Sequence, residues 1–322
     1  MYQYIIRRFL YMIPMLIGIT SLSFFIMQLA PGDFLTAMQM SPDFPPEMLA
    51  QMRAQYGLDQ PVYVQYFQWI FRVFQGDLGY SFMWHAPVTW VLHQRIWNTL
   101  LLAVAAMVVA WLVAIPIGIH SATHQYSWSD KLLTFFAFIG ISIPNWFFGL
   151  LMLYFVVSRG WNLPIGGMMS TDFQDLSLIG KAYDLGRHML IPVLVLSTGI
   201  MAGLMRYMRS NLLDVLKQDY VTTARSKGLR ARVVINKHAV RNAINPLITL
   251  FGFQLGTVFS GAALTEIVLN WPGIGSLMLT AVQGLDYYLV MGNLIVGGVM
   301  LILGNLMADL LLAWSDPRIR FD

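Results

Sequence analysis

Six apolar stretches, about residues 9–29, 98–121, 132–157, 188–208, 246–269 and 287–312, set the first constraint on this chain. Each is long enough to cross about 30 Å of hydrocarbon, a distance that takes roughly 20 residues of helix. The expectation is an all-α integral membrane protein with six transmembrane helices. Composition agrees. Of 322 residues, 57% are hydrophobic and only 11% charged, where a soluble chain carries about 25% charged residues. There is no cysteine, which excludes disulfides, thiolate metal sites and a cysteine nucleophile.

Arg7 and Arg8 precede the first apolar stretch in the manner of a secretion signal. The stretch is longer than a signal core, and Pro31 follows Ala30 where cleavage would fall, so it reads as a retained helix. Orientation follows from the lysines and arginines. With the N-terminus inside, segments 1–8, 122–131, 209–245 and 313–322, with Arg206 at the end of the fourth span, hold 14 of the 20 basic residues. The outside segments 30–97, 158–187 and 270–286 are longer in total and hold six. The expected topology is N-in/C-in. No polar linker divides the chain. Residues 1–97 read as an N-terminal span plus an outside segment, and 98–322 as a five-span core with a basic loop at 211–245.

The outside segment is too long for a simple connection. Residues 45–56 read as a short helix opened by prolines, which suit a first turn. Residues 61–74, PVYVQYFQWIFRVF, carry aromatics on one side. That helix either lies along the membrane interface, where Trp and Tyr are favoured, or forms a small cap packed on the spans.

The loop is the most informative segment. DYVTTARSKGLRARVVINKHAVRNAINP, residues 219–246, holds six Lys or Arg against one Asp. Residues 211–227 are free of Gly and Pro, and Gly228 then supplies a residue able to take φ > 0 at a helix end. Arg225 and Lys227 complement the dipole of that last turn. A second helical stretch runs from about 230 to 243, and Pro246 marks the next boundary. A loop that only orients the chain, or touches anionic lipid, needs charge but not a capped helix. Small Ala224, Ser226 and Gly228 would let another surface come close, and Tyr220 and Leu229 would anchor it.

This stretch resembles the cytoplasmic coupling loop of ABC-importer permeases, in the form found in dipeptide and oligopeptide permeases. Further landmarks follow in order along the chain: IIRRFLYMIPMLIGIT at the start, APGD after the first span, YGLDQP at 56–61, GDLGYS at 76–81, NWPGIG at 270–275 and DPRIR at 316–320. The family's general motif begins Glu-Ala-Ala, with Gly four residues after the second Ala. Here Thr222, Thr223 and Ala224 stand in those positions, followed by Gly228. The missing glutamate is common in peptide-type members. Asn245 also replaces an apolar residue usual before the proline, and nothing explains it.

The resemblance implies a type I ABC-importer permease fold with a cytoplasmic coupling helix, in the plasma (inner) membrane of a bacterium or archaeon. It implies that Asp219, Tyr220, Thr222, Thr223, Ala224, Arg225, Lys227, Gly228 and Leu229 dock on a cytosolic ATPase. Implied partners are a second homologous permease, two ABC ATPase subunits and an extracytoplasmic solute-binding protein. ATP and Mg would be bound by the ATPases, with no cofactor in this chain. The expected cargo is di- or oligopeptides, with nickel or another small solute as the alternative.

Polar residues within spans mark a translocation path or a helix contact. Pro144 breaks the third span at SIPNWFFG, and Asn145 and Trp146 then either line a cavity or belong to a packed kink. Gly252, Gly256 and Ser260 recur every four residues on the fifth span, a stripe suited to close helix contact. Gln254, Thr257, Thr265 and Glu266 lie elsewhere on that span. Glu266 either meets a peptide ammonium group near a pore mouth or pairs with an arginine. The Pro and Gly residues at 272–275 suit a re-entrant turn or outer gate.

There is no phosphate-binding Gly-x4-Gly-Lys-Ser/Thr, no Gly-x-Ser-x-Gly and no His-Glu-x-x-His. His120 and His124 have metal-compatible i, i+4 spacing but sit where histidine suits a membrane interface. The basic block has few aromatics, against nucleic-acid binding. An ATP-independent secondary transporter would need intramembrane carboxylates at broken helices. Only Asp309 and Glu266 lie within the spans, both toward their ends. An intramembrane enzyme would need a nucleophile–base or metal constellation, and none is legible. The chain reads as a transport subunit, not an enzyme.

Overall fold

A computed structural model of the chain describes residues 2–29, 34–38, 45–259 and 263–315. The landmarks APGD and DPRIR, and Ser260 of the small-residue stripe, lie outside the described residues. Helix α1 (Tyr2–Met27) is followed by three short helices, α2 (Phe34–Met38), α3 (Pro46–Tyr56) and α4 (Val62–Phe74). A two-residue antiparallel bridge, β1 (Tyr80–Ser81) on β2 (Ala86–Pro87), leads into α5 (Val88–Thr123). Then come α6 (Trp128–Ser142), α7 (Asn145–Ser158) and α8 (Leu178–Leu216). The basic loop holds α9 (Asp219–Ser226), α10 (Ala231–Val233), a π-helical stretch (Val234–Val240) and α11 (Arg241–Ala243). Helices α12 (Asn245–Phe259), α13 (Ala263–Val268), α14 (Ile274–Gln283) and α15 (Tyr287–Ser315) complete the chain.

Among the described residues, four helices are singly long and apolar enough to cross a membrane: Leu10–Met27 of α1, α5, α8 and Tyr287–Leu311 of α15. The predicted third span is not one kinked helix. It is α6 and α7 at 103° to each other. Pro144 explains the corner, because it pushes the preceding residue out of the helical region; Ile143 is extended at φ −92°, ψ 121°. The predicted fifth span corresponds to α12 and α13, with 260–262 between them outside the description.

Two helices are longer than hydropathy suggested. α5 has 36 residues and α8 has 39, about 54 and 58 Å at 1.5 Å per residue, nearly twice the hydrocarbon thickness. Hydropathy registers only the part that suits lipid, while the helix runs on through Trp90 and Trp97 at one end of α5 and through Tyr183 in α8. Residue 97, the sequence boundary between extension and core, therefore falls inside α5.

The buried core has two main centres. At the end carrying the basic loop, Ala110, Ala114, Met205, Met208 and Leu212 of α5 and α8 pack with Val221, Ala224, Val234, Ala239 and Ala243 of the loop itself. Gly118 permits the close α5–α8 approach, since a Cβ there would lie 2.7 Å from Met208 Cβ. At the other end, Phe24, Tyr66, Trp69, Phe82, Val88, Leu277 and Leu289 form the second centre.

Helix α4 is packed on one face and apolar on the other. Tyr66 and Trp69 are buried. Tyr66 OH donates to Ile17 O at 3.1 Å and accepts from Ser21 Oγ at 2.6 Å, fastening α4 to α1. Trp69 Nε1 donates to Leu78 O at 3.0 Å. Tyr63, Phe67, Phe71 and Phe74 form an exposed aromatic stripe on the opposite face. The buried face is that of a cap packed on the spans, and the exposed stripe is the apolar face that an interfacial helix would need.

Asp286, fully buried, binds the bridge region to α15. Its carboxylate accepts from Ser81 Oγ (2.6 Å) and Met83 N (3.1 Å) of the bridge region, and from Leu289 N (3.2 Å) in the first turn of α15. Burial pushes this carboxyl up from its ordinary value, against the pull of those hydrogen bonds.

Candidate functional site

The basic loop begins differently from its sequence reading. The expected helix over 211–227 is two helices. α8 continues to Leu216, the chain turns at Lys217 and Gln218 (φ −73°, ψ 147°), and α9 starts at Asp219. Nothing in the composition of 211–227 signals that break, because the turn is imposed by docking. Val221, wholly buried, and Ala224 face the α8 core and hold α9 down. Burying a valine is worth roughly 1.5–3 kcal/mol. Three threonine and serine hydroxyls donate back along the short helix: Thr222 Oγ1 to Gln218 O, Thr223 Oγ1 to Asp219 O and Ser226 Oγ to Thr222 O.

Of the nine predicted docking residues, Asp219, Tyr220, Thr222, Thr223, Arg225, Lys227, Gly228 and Leu229 are exposed on one knob. Ala224 is not. It is buried against the bundle, and its small side chain serves close packing of α9 on its own chain. Val221, which the sequence reading passed over, is the anchor. An i, i+3 apolar pair, Val221 and Ala224, was the available signal. Tyr220 and Leu229 are 43% and 41% exposed, apolar surface on a polar knob. Asn242 Nδ2 donates to Tyr220 OH at 3.0 Å, bracing α9 on α11.

Gly228 closes the knob at φ +73°. A Cβ there would meet nothing within 4 Å, so the glycine is needed for backbone conformation and not for space. The chain then climbs through α10 and the π-helical stretch to α11, with Val234, Ala239 and Ala243 buried. Wide π turns occur mostly as local insertions and often at functional positions.

A second fastening lies beside the loop. Arg209 on α8 grips Asp130 at the start of α6 with two parallel bonds, Nε to Oδ1 at 3.0 Å and Nη2 to Oδ2 at 2.9 Å. Tyr126 N also donates to Asp130 Oδ2. This fork ties α6 to the helix that runs directly into α9. The pair is not legible in the sequence because its members are 79 residues apart; Ser127 three residues before Asp130, a helix-start pattern, is the local hint.

The predicted path residues divide. Asn145 lines a cavity of about 310 Å³, walled mainly by apolar residues of α5, α6 and α8. It packs on Gly199, where a Cβ would lie 2.9 Å from Asn145 Oδ1. Trp146 is partly exposed at the start of α7. Gln254 Oε1 accepts from Trp111 Nε1 at 3.3 Å, across α12 and α5. The side chain of Thr257 lies outside the described residues.

Thr265 and Glu266 are buried; the Glu266 carboxylate is held by backbone and hydroxyl groups of its own chain, and Arg95 is near enough to feel its charge. The carboxylate is wrapped by the NWPGIG turn. Oε2 accepts from Ser276 N at 2.7 Å, and Oε1 is 3.4 Å from Thr99 Oγ1. A Cβ on Gly273 would collide with it, and one on Gly275 would collide with the Ala263 backbone and press on the carboxylate. The carboxylate thus completes the first turn of α14, where free N–H groups favour negative charge. The turn is locked further by Ile274 N donating to Thr99 Oγ1 (2.8 Å) and Asn98 Nδ2 to Pro272 O (2.9 Å). Trp271 is buried with Leu102, Ala106 and Leu196. Gly167 N donates to Leu269 O at 3.1 Å, so the 158–177 loop is held to the same turn.

His120 and His124 stack with ring centroids 4.4 Å apart. No group of three or more His, Asp or Glu that could hold a metal occurs among the described residues.

Comparison with known proteins gives a consistent picture. Residues 114–321 match the family described as binding-protein-dependent transport system inner membrane component, and residues 1–103 match the N-terminal family of such membrane components. The chain is 42% identical to the oligopeptide transport system permease protein AppB of Bacillus subtilis, over all of both chains. It is 39% identical to the dipeptide transport system permease protein DppB of Escherichia coli K12, over 99% of each. It is 35% identical to the glutathione transport system permease protein GsiC of Salmonella typhimurium, over all of both.

Proposed function

Since this chain belongs to the binding-protein-dependent transport inner-membrane component family, we propose that it is a pore-forming permease subunit of an ATP-driven importer of short peptides. The relatives' names span oligopeptides, dipeptides and glutathione, cargoes that share a peptide backbone. The chain crosses the plasma membrane six times, N-in/C-in, with α6–α7 as one bent span and α12–α13 as another. The α9 knob sits in a cleft of a cytosolic ATPase. Two ATPases, a second permease and an extracytoplasmic binding protein complete the machine, and ATP and Mg are bound by the ATPases. The segment 30–97 and the turn at 270–275 meet the binding protein.

The observation that carries this reading is the packing of α9. A transmission element must be stiff, because it passes rigid-body motion between two proteins. Val221 and Ala224 pin the knob to α8, and the Asp130–Arg209 fork pins α8 to α6. Force applied at Thr222–Leu229 is therefore delivered to the bundle and not dissipated in a loose loop. A mild-detergent purification from native membranes, followed by mass spectrometry, tests it. A second permease and ATPases with phosphate-binding loops should come along, and should be lost when 222–229 is scrambled while the chain still inserts. A chain that purifies alone and transports without an ATPase refutes it.

A further inference from the structure

A groove of about 510 Å³ opens between the loop-side end of α5 and the second half of the basic loop, within the roughly 300–1,000 Å³ typical of small-ligand sites. Its lining is graded along α5. Pro116 and Ile119 lie toward the middle of the span, and His120 and Thr123 lie at its end. Arg232 and Asn236 face them from the loop. No carboxylate lines it. Arg232 is exposed and makes no ion pair among the described residues. Next to the groove, His120 Nε2 lies 2.9 Å from Ser129 Oγ. The neighbouring Trp128 is 83% exposed, with Lys131 Nζ 5.9 Å from its ring. An exposed Trp beside Lys at a span end marks the headgroup level of a bilayer.

We propose that this groove binds the phosphate of one anionic phospholipid. Arg232 and Asn236 hold the phosphate, and an acyl chain lies along Ile119 and Pro116. The shared chemistry is that of any phosphate, but the apolar floor favours a lipid over a soluble anion. Basic pockets between spans on the cytoplasmic side are suited to such headgroups. The lipid would bridge α5 to the loop half that braces Tyr220 through Asn242, stiffening the knob. The placement in the cytoplasmic leaflet rests on the topology proposed above.

The test uses the complete transporter in nanodiscs of phosphatidylcholine with or without phosphatidylglycerol. Native mass spectrometry counts retained phosphatidylglycerol, and co-purified ATPase is scored in the same samples. Arg232→Ala should weaken retention about tenfold, the loss of one charge-assisted contact, and Arg232→Lys should keep most of it. Asn236→Asp, at an exposed position that removes no packing, should repeat the loss. Each result should appear with the ATPases still bound, which separates it from failure of the coupling reading. Equal retention by wild type, Arg232→Ala and Asn236→Asp overturns the proposal. So does displacement by inorganic phosphate or ATP, which would assign the groove to a soluble anion.

Discussion

Replacing Gly228 isolates the mechanical role of the knob from its chemistry. The residue sits at φ +73° with open space where a Cβ would project. An L-residue pays about 1–2 kcal/mol in that region, and a β-branched one more. One to two kcal/mol shifts a conformational ratio by about 5–30-fold. The strain will not unseat α9, because Val221 and Ala224 hold it in the core; it will fall on the apex at 226–230. Gly228→Val should therefore leave insertion and thermal stability of the bundle nearly unchanged. ATP-driven peptide uptake in proteoliposomes of the whole transporter should fall by at least about fivefold. Gly228→Ala should be intermediate. Gly228→Asn should recover much of the activity, since Asn tolerates the left-handed region. Normal uptake by the valine variant would refute the argument. Equal loss with Asn and Val would also refute it, since the defect would then come from a partner surface filling the space over Gly228 and not from the backbone.

Three further outcomes test the fastenings around the loop and the turn. Asp130→Ala leaves the Arg209 guanidinium without its fork partner; since Arg209 is about a quarter exposed, the cost should be about 2 kcal/mol rather than the larger value for a fully buried pair. It should read as a lowered melting temperature in detergent, partly restored in Asp130→Arg/Arg209→Asp, and an unchanged melting temperature contradicts the pairing. Gly273→Ala drives a methyl group into the Glu266 carboxylate and should destabilise by about 1–3 kcal/mol. Combined with Glu266→Ala the losses should be less than additive, and strict additivity by thermal denaturation would count against the wrapped-carboxylate geometry. For Asp286, burial raises the folded-state pKa above the unfolded value. The folded state then binds the extra proton, so stability is greatest below the unfolded pKa and declines as pH rises through the folded one. The melting-temperature difference between wild type and Asp286→Asn should move in favour of wild type as pH is lowered from neutral, and a pH-independent difference contradicts it.

Much of the architecture was legible because lipid imposes a severe filter on composition. The apolar stretches, the basic loop, the proline-opened helix at 46–56, the stop at Gly228 and the boundary at Pro246 are all local signals, each with a local physical cause. So was the corner at Pro144, though not its angle: proline removes a helical conformation, but neighbouring helices choose the new direction. The ends of α5 and α8 escaped because a helix can continue into water without any apolar pattern. The break at Lys217–Gln218 escaped because no residue there forbids a helix.

The candidate site divides along the same line. Sequence determined that a basic helix–turn–helix with a left-handed glycine would lie between two spans, since capping and charge act within a few residues. Only the tertiary structure decided which of its residues face out. Val221 and Ala224 became anchors because α8 and the π-helical stretch offered them a core. Glu266 became a structural carboxylate because the 270–275 turn, Thr99 and α14 converge on it. Asp130 found Arg209 across 79 residues. Burial and pairing depend on what the chain brings together from afar, and a single sequence carries no distance information beyond the helix turn.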